Sequence, residues 1–158
     1  MSSYSKESLW TKDFILDTGI NFLVYLIYYL LMVIIAVVAK NDLHASLAEA
    51  GLASGIFIVG TLIARLLAGQ QIELFGRRKM LYCGIVLYLV TTLFYFYIPN
   101  LSIMYLIRLT NGFAYGVVST ATSTIIASCI PPARRGEGIN YYGLSTSVAA
   151  AVGPFIGM

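Results

Sequence analysis

Residues 69–79, GQQIELFGRRK, form a short, strongly charged segment between two long apolar runs. Residues 48–68 before it are almost uncharged, and residues 80–98 after it carry no charge. A helix that crosses a bilayer takes about 20 mostly apolar residues. A connection this brief can only turn the chain straight back, so it joins two antiparallel membrane helices. Arg77, Arg78 and Lys79 then mark the cytoplasmic face, because cations concentrate in cytoplasmic loops.

Composition points the same way. The chain has 158 residues, 59% hydrophobic and 11% charged, where soluble domains carry about 25% charged residues. The net charge of +3 is no nucleic-acid footprint, since the cations lie in short loops and not on one solvated face. Cys83 and Cys129 fall within or at the end of apolar runs, too few and too buried for a disulfide framework or a zinc site. His44 stands alone in a loop. No metal cluster, nucleophile–base set or cofactor loop is visible, so neither an enzyme nor a cofactor is expected.

Five spans follow. Residues 1–13 read as a cytoplasmic tail with Trp10 at the interface. The apolar run 14–39 exceeds the roughly 7–15 residues of a signal-peptide core and reads as the first helix. The others are expected at about 48–69, 80–98, 102–129 and 138–158. In the second, Gly51, Ser54, Gly55 and Gly60 give a small-residue face of the kind that lets membrane helices approach. Pro131 and Pro132 end the fourth. Lys6, Lys12, Arg77, Arg78, Lys79, Arg134 and Arg135 lie on one side, and only Lys40 lies in the other loops. The amino terminus is therefore expected in the cytoplasm, in a multi-pass protein of the cytoplasmic membrane.

The charged segment also resembles a family signature. Gly69, Glu73, Gly76, Arg77, Arg78 and Lys79 fill the pattern found between helices 2 and 3 of the major facilitator superfamily of transporters. Leu74 departs from it, because the family usually has a cation there. The resemblance implies an all-α integral membrane fold. Its five transmembrane helices belong to the N-terminal six-helix half of a twelve-helix architecture built around a central site. It also implies that the chain is a fragment, which alone would not transport. By the same resemblance the segment latches two halves on the cytoplasmic side and helps govern switching. Bare topogenesis would explain the cations but not the Gly and Glu spacing.

Two polar stripes are candidates for chemistry. Arg108 lies about two turns inside the fourth run, where a charge costs several kcal/mol unless it meets a cavity or a partner. Asn111, Tyr115 and Ser119 follow it at helical spacing, so the group is expected to line a cavity. Snorkelling of Arg108 to the outer headgroups is the alternative. The run Arg108 to Gly116 resembles the helix 4 motif that the family associates with proton transfer. On the first run, Asp17, Asn21, Tyr25 and Tyr28 share a face. A carboxyl buried in a membrane can hold a proton at neutral pH, because burial disfavours the charged form. The alternative for Asp17 is a helix-start acid favoured by the helix dipole. Arg65 is expected at the cytoplasmic interface or beside Glu73. Gly153, Pro154 and Gly157 partly match a fifth-helix motif of antiporter members, but Asn140, Ala149 and Met158 stand where that motif has glycine.

The expected function is secondary active transport, namely proton-coupled efflux of small hydrophobic compounds or drugs by alternating access. Its partners would be a small-molecule substrate, protons, the lipid bilayer and the remaining helices of the same transporter, with no nucleic acid. A sugar or other metabolite is the alternative substrate class. A membrane anchor or assembly protein that transports nothing is the alternative of another kind.

Overall fold

The structure, a computed structural model, describes residues 8–158; Lys6 and most of the expected tail lie outside it. Five α-helices follow one another: α1 (Lys12–Asn41), α2 (Leu47–Phe75), α3 (Arg77–Leu93), α4 (Leu101–Cys129) and α5 (Arg135–Gly157). No strand is present among the described residues. Helices α1 and α2, the stretch Arg77–Phe96 and α4 are each long and apolar enough to cross a membrane. Helix α5, with 23 residues, is long enough but less apolar, and it starts with Arg135 and Glu137.

The helix ends are set by short polar side chains. Thr11 accepts from the Phe14 amide at the start of α1. Ser46 and Glu49 form a reciprocal capping box at the start of α2, and Asn100 accepts from the Ile103 amide at the start of α4. Each satisfies a backbone donor that the first turn of a helix leaves without a partner. Helix α3 ends earlier than its apolar run suggests. The chain tightens into a 3-10 turn at Phe94–Phe96 before Pro99 and Asn100.

The charged segment 69–79 differs from its expectation as a loop. Residues through Phe75 continue α2, and Arg77 already begins α3. Gly76 alone makes the reversal, at φ 85°, a region that glycine enters without steric cost. The helix persists because Ile72 is still buried while Gln70, Gln71 and Glu73 are exposed. One face therefore keeps packing after the apolar run has ended.

Helix α4 is the centre of the bundle. Half of its most apolar stretch is buried, against 22–28% for α1, α2 and the third span. It packs heavily on α2 and α3 and also on α1, while α5 packs chiefly on α1. The α2–α4 contact is close. A Cβ on Gly60 would overlap the Leu109 carbonyl oxygen, and one on Gly112 would overlap the Phe57 carbonyl oxygen. On Gly116 it would lie 2.6 Å from the Ala64 Cβ. Inside lipid, apolar side chains gain little by meeting one another, so close backbone approach supplies the association.

The two ends of the bundle differ in charge. One end gathers the start of α1, the α2–α3 turn and the α4–α5 connection; there Leu9 and Phe14 pack with Ile126 and Ile130. Lys12, Arg77, Arg78, Lys79, Arg134 and Arg135 all belong to those segments. At the other end Ala39, Ala53 and Met104 pack together, and Lys40 is the cation there.

Candidate functional site

Three polar groupings lie along the bundle. The first is at the charged end. Glu73 pairs with Arg77 at 3.2 Å, one helical turn away across Gly76, and Arg78 pairs with Asp13 of α1 at 2.8 Å. The second pair ties the start of α3 to the start of α1. Both pairs are exposed, so each contributes at most about 1 kcal/mol. Arg65 takes no part, since Glu73 is committed to Arg77. Gly69, expected to let α2 close on a neighbour, is exposed with open space around it. The reason is that α2 does not end at Gly69.

The second grouping is a seam between α1, α4 and α5. Asn21 donates through Nδ2 to Ser145 Oγ and Thr146 Oγ1, each at 3.1 Å. Tyr142 donates to Asn21 Oδ1 at 2.9 Å, and Thr122 Oγ1 lies 3.0 Å from the same phenol oxygen. Asp17 lies one turn before Asn21 on the same face. It is 3% exposed, and neither carboxyl oxygen has a hydrogen-bond partner. The Thr18 hydroxyl beside it is also buried without a partner. Asp17, Asp13, Arg78 and Ile125 border a cleft of about 300 Å³ at the charged end. Holding an ionised carboxylate without a partner costs several kcal/mol, and a proton removes that cost.

The third grouping surrounds Arg108. The side chain is 1% exposed and lies between helices, neither lining an open cavity nor snorkelling outward. Its Nε donates to the Ala53 carbonyl at 3.1 Å, and its guanidinium lies 4.6 Å from the centre of the Phe57 ring. Its Nη1 has no partner, and no carboxylate pairs with it among the described residues. Asn111 is fully buried, donating to Thr91 Oγ1 at 2.9 Å and Thr92 Oγ1 at 3.2 Å. Tyr115 is buried in an aromatic group, 5.1 Å from Tyr28, 5.4 Å from Tyr25 and 5.4 Å from Phe57. The stripe expected to face a cavity is therefore enclosed, because it lies on the faces of α4 that pack on α1, α2 and α3, while Ile103, Leu106 and Thr110 hold the exposed face.

The two expected stripes thus meet only through their aromatic ends, where Tyr25 and Tyr28 touch Tyr115. Asp17 and Arg108 belong to separate groupings. On α5, Gly153 and Gly157 seat the helix against α1: a Cβ there would lie 2.6 Å from Tyr29 Cβ and 2.9 Å from the Leu30 carbonyl oxygen. Pro154 lies between them without interrupting the helix. Sequence reasoning missed Tyr142, Ser145, Thr146 and Thr122. The spacing of three and four from Tyr142 to Ser145 and Thr146 on α5 was the available signal, and Thr122 of α4 had none. It also missed Phe57 and Thr91, single residues in apolar runs with no pattern to mark them. Cys83, expected to be buried, is exposed.

Comparison with known proteins fits this arrangement. The family model of the Major Facilitator Superfamily matches residues 18–158. An uncharacterized MFS-type transporter of Methanocaldococcus jannaschii is 26% identical over 149 residues, 94% of this chain and 36% of that protein. Multidrug resistance protein 2 of Bacillus subtilis is 24% identical over 115 residues, covering 73% and 29% of the two chains. Monosaccharide-sensing protein 1 of Arabidopsis thaliana is 30% identical over 98 residues, covering 62% and 13%. The chain thus spans about a third or less of the length of these relatives. A family match over nearly the whole of a five-helix membrane chain places it by descent: the protein belongs to the major facilitator superfamily.

Proposed function

We propose that this chain is the amino-terminal part of a secondary transporter that exports small hydrophobic compounds in exchange for protons. The observation that carries the reading is Asp17, enclosed in an apolar bundle with both carboxyl oxygens unpartnered. A proton there makes the enclosed state tolerable, and its loss leaves a buried charge that favours opening the adjacent cleft to water. Binding and release of that proton bias the α1–α5 seam, and alternating access follows from the shift between two packings. Arg108 and Asn111 act as the second polar element of the coupling, with Tyr25, Tyr28 and Tyr115 forming the aromatic wall between them. Glu73, Arg77 and Arg78, now with Asp13, form the latch at the charged end. That end faces the cytoplasm, in accord with its surplus of cations, and the membrane is the cytoplasmic membrane. The likeness to multidrug resistance protein 2 supports the drug-type substrate.

The likeness to monosaccharide-sensing protein 1 favours a second reading, with a sugar as substrate. One experiment separates the two. The complete transporter is expressed in cells lacking their own efflux pumps, and ethidium extrusion and labelled glucose uptake are followed under an imposed pH gradient. Ethidium extrusion that collapses with the gradient, and is lost in Arg108→Ala, supports the export reading. Glucose uptake without ethidium extrusion replaces it with the sugar reading.

A further inference from the structure

Lys79 differs from the two arginines before it. Arg77 is paired with Glu73 and Arg78 with Asp13, whereas Lys79 makes no ion pair among the described residues. It stands at one border of an apolar groove of about 470 Å³ between α2 and α3. The two helices leave Gly76 in diverging directions, each packing on α4 far more than on the other. Leu67 and Phe75 form the α2 wall, Cys83 and Leu87 the α3 wall, and Phe113 and Val117 of α4 the floor. Phe75 is 60% exposed and Leu67 44%, so the groove lies open along its length.

We propose that this groove holds one acyl chain of an anionic phospholipid from the surrounding bilayer, with the lipid phosphate at Lys79. Lys79 is the one charged side chain bordering the groove, and it belongs to the end of the bundle where the other cations lie. A phosphate at that level meets a cation, and the chain below it meets only apolar walls apart from Gln71. From Lys79 to Leu87 α3 runs two turns, about 12 Å, the depth of the upper part of an acyl chain. The amide of Gln71 offers donors at the level of the glycerol esters. A long amine stem lying along an apolar wall with its charge at the headgroups is the favoured posture of lysine at a membrane interface. A lipid so placed braces α2 against α3 beside the Gly76 turn, where the two helices hardly touch.

Cys83 in the α3 wall reports on the occupant. In the complete transporter, with Cys83 left as its sole thiol, the rate of maleimide labelling is measured in dodecyl maltoside. Dioleoylphosphatidylglycerol, dioleoylphosphatidylcholine or the water-soluble headgroup glycerophosphoglycerol is then added. The proposal predicts that phosphatidylglycerol slows labelling several-fold and that neither of the others does so. In Lys79→Gln the phosphatidylglycerol concentration giving half-protection should rise about five-fold, the contribution of one lysine near an anionic surface, and Lys79→Arg should restore it. Leu87→Trp, which fills the groove, should slow labelling without any lipid and leave nothing for the lipid to protect. Equal protection by phosphatidylcholine would overturn the role of the charge. Protection by the headgroup alone would make the site one for free phosphate. Protection unchanged in Lys79→Gln, or no protection at all, would overturn the proposal.

Discussion

Helix α2 meets α4 backbone to backbone along its length, whereas α1 meets the charged-end half of α5 through amide and hydroxyl groups, and only the far half, at Gly153 and Gly157, closes as tightly. In the first contact Gly60, Gly112 and Gly116 bring carbonyl oxygens to where side chains would otherwise begin, and the Thr61 hydroxyl donates to the Gly112 carbonyl at 3.0 Å. In the second, Asn21, Tyr142, Ser145 and Thr146 exchange hydrogen bonds that tolerate rotation and small shifts. A contact with no slack has one arrangement. A seam of rotatable donors and acceptors can have two. The unpartnered Asp17 adjoins the adaptable seam and not the rigid contact, which is the placement a charge that biases a conformational change would need.

The largest expected effect comes from adding a side chain to the rigid contact. Gly112→Val should cost at least about 3 kcal/mol, the upper range for overpacking, since the obstacle is the Phe57 backbone and not a flexible side chain. The monodisperse fraction in size-exclusion chromatography and the midpoint of thermal unfolding in detergent should both fall sharply. Unfolding near the parent temperature would show that α2 and α4 can separate at little cost. Asn21→Leu comes next. It removes two donated hydrogen bonds and one accepted, each worth roughly 0.6–2 kcal/mol between membrane helices, and leaves Tyr142, Ser145 and Thr146 to find other partners. Thermal unfolding should show about 1–3 kcal/mol of loss while the protein remains monodisperse. Tyr142→Phe sharpens the comparison, because it deletes one hydroxyl in place of the amide and should cost about 1 kcal/mol. The smallest effect belongs to Gly69→Ala. With open space around Gly69 and helix on both sides of it, the change should be neutral or stabilising by up to about 1 kcal/mol. A destabilised Gly69→Ala would mean that α2 packs there after all.

The number of helices was legible because apolar length acts residue by residue along the chain. The true extent of α2 was not. Gln70, Gln71 and Glu73 look like loop in composition, yet Ile72 still buries a side chain and the helix continues to Phe75. The shared face of Asp17 and Asn21 followed from a spacing of four. What lay opposite it did not, since Ser145 and Thr146 are more than 120 residues away and no local pattern links them to Asn21. Arg108 shows the same limit. Its depth could be read from the apolar run, but its enclosure depends on Ala53 and Phe57, which only packing brings near.

The central claim is that Asp17 carries the exchanged proton. Inverted membrane vesicles containing the complete transporter, parent or Asp17→Asn, would be placed in ethidium, and its entry followed with and without a pH gradient. Asp17→Asn should still exchange ethidium down its own concentration gradient, because a permanently neutral side chain leaves the binding surfaces intact. It should show no accumulation driven by the pH gradient. Gradient-driven accumulation that persists in Asp17→Asn would contradict the account and move the coupling to another group.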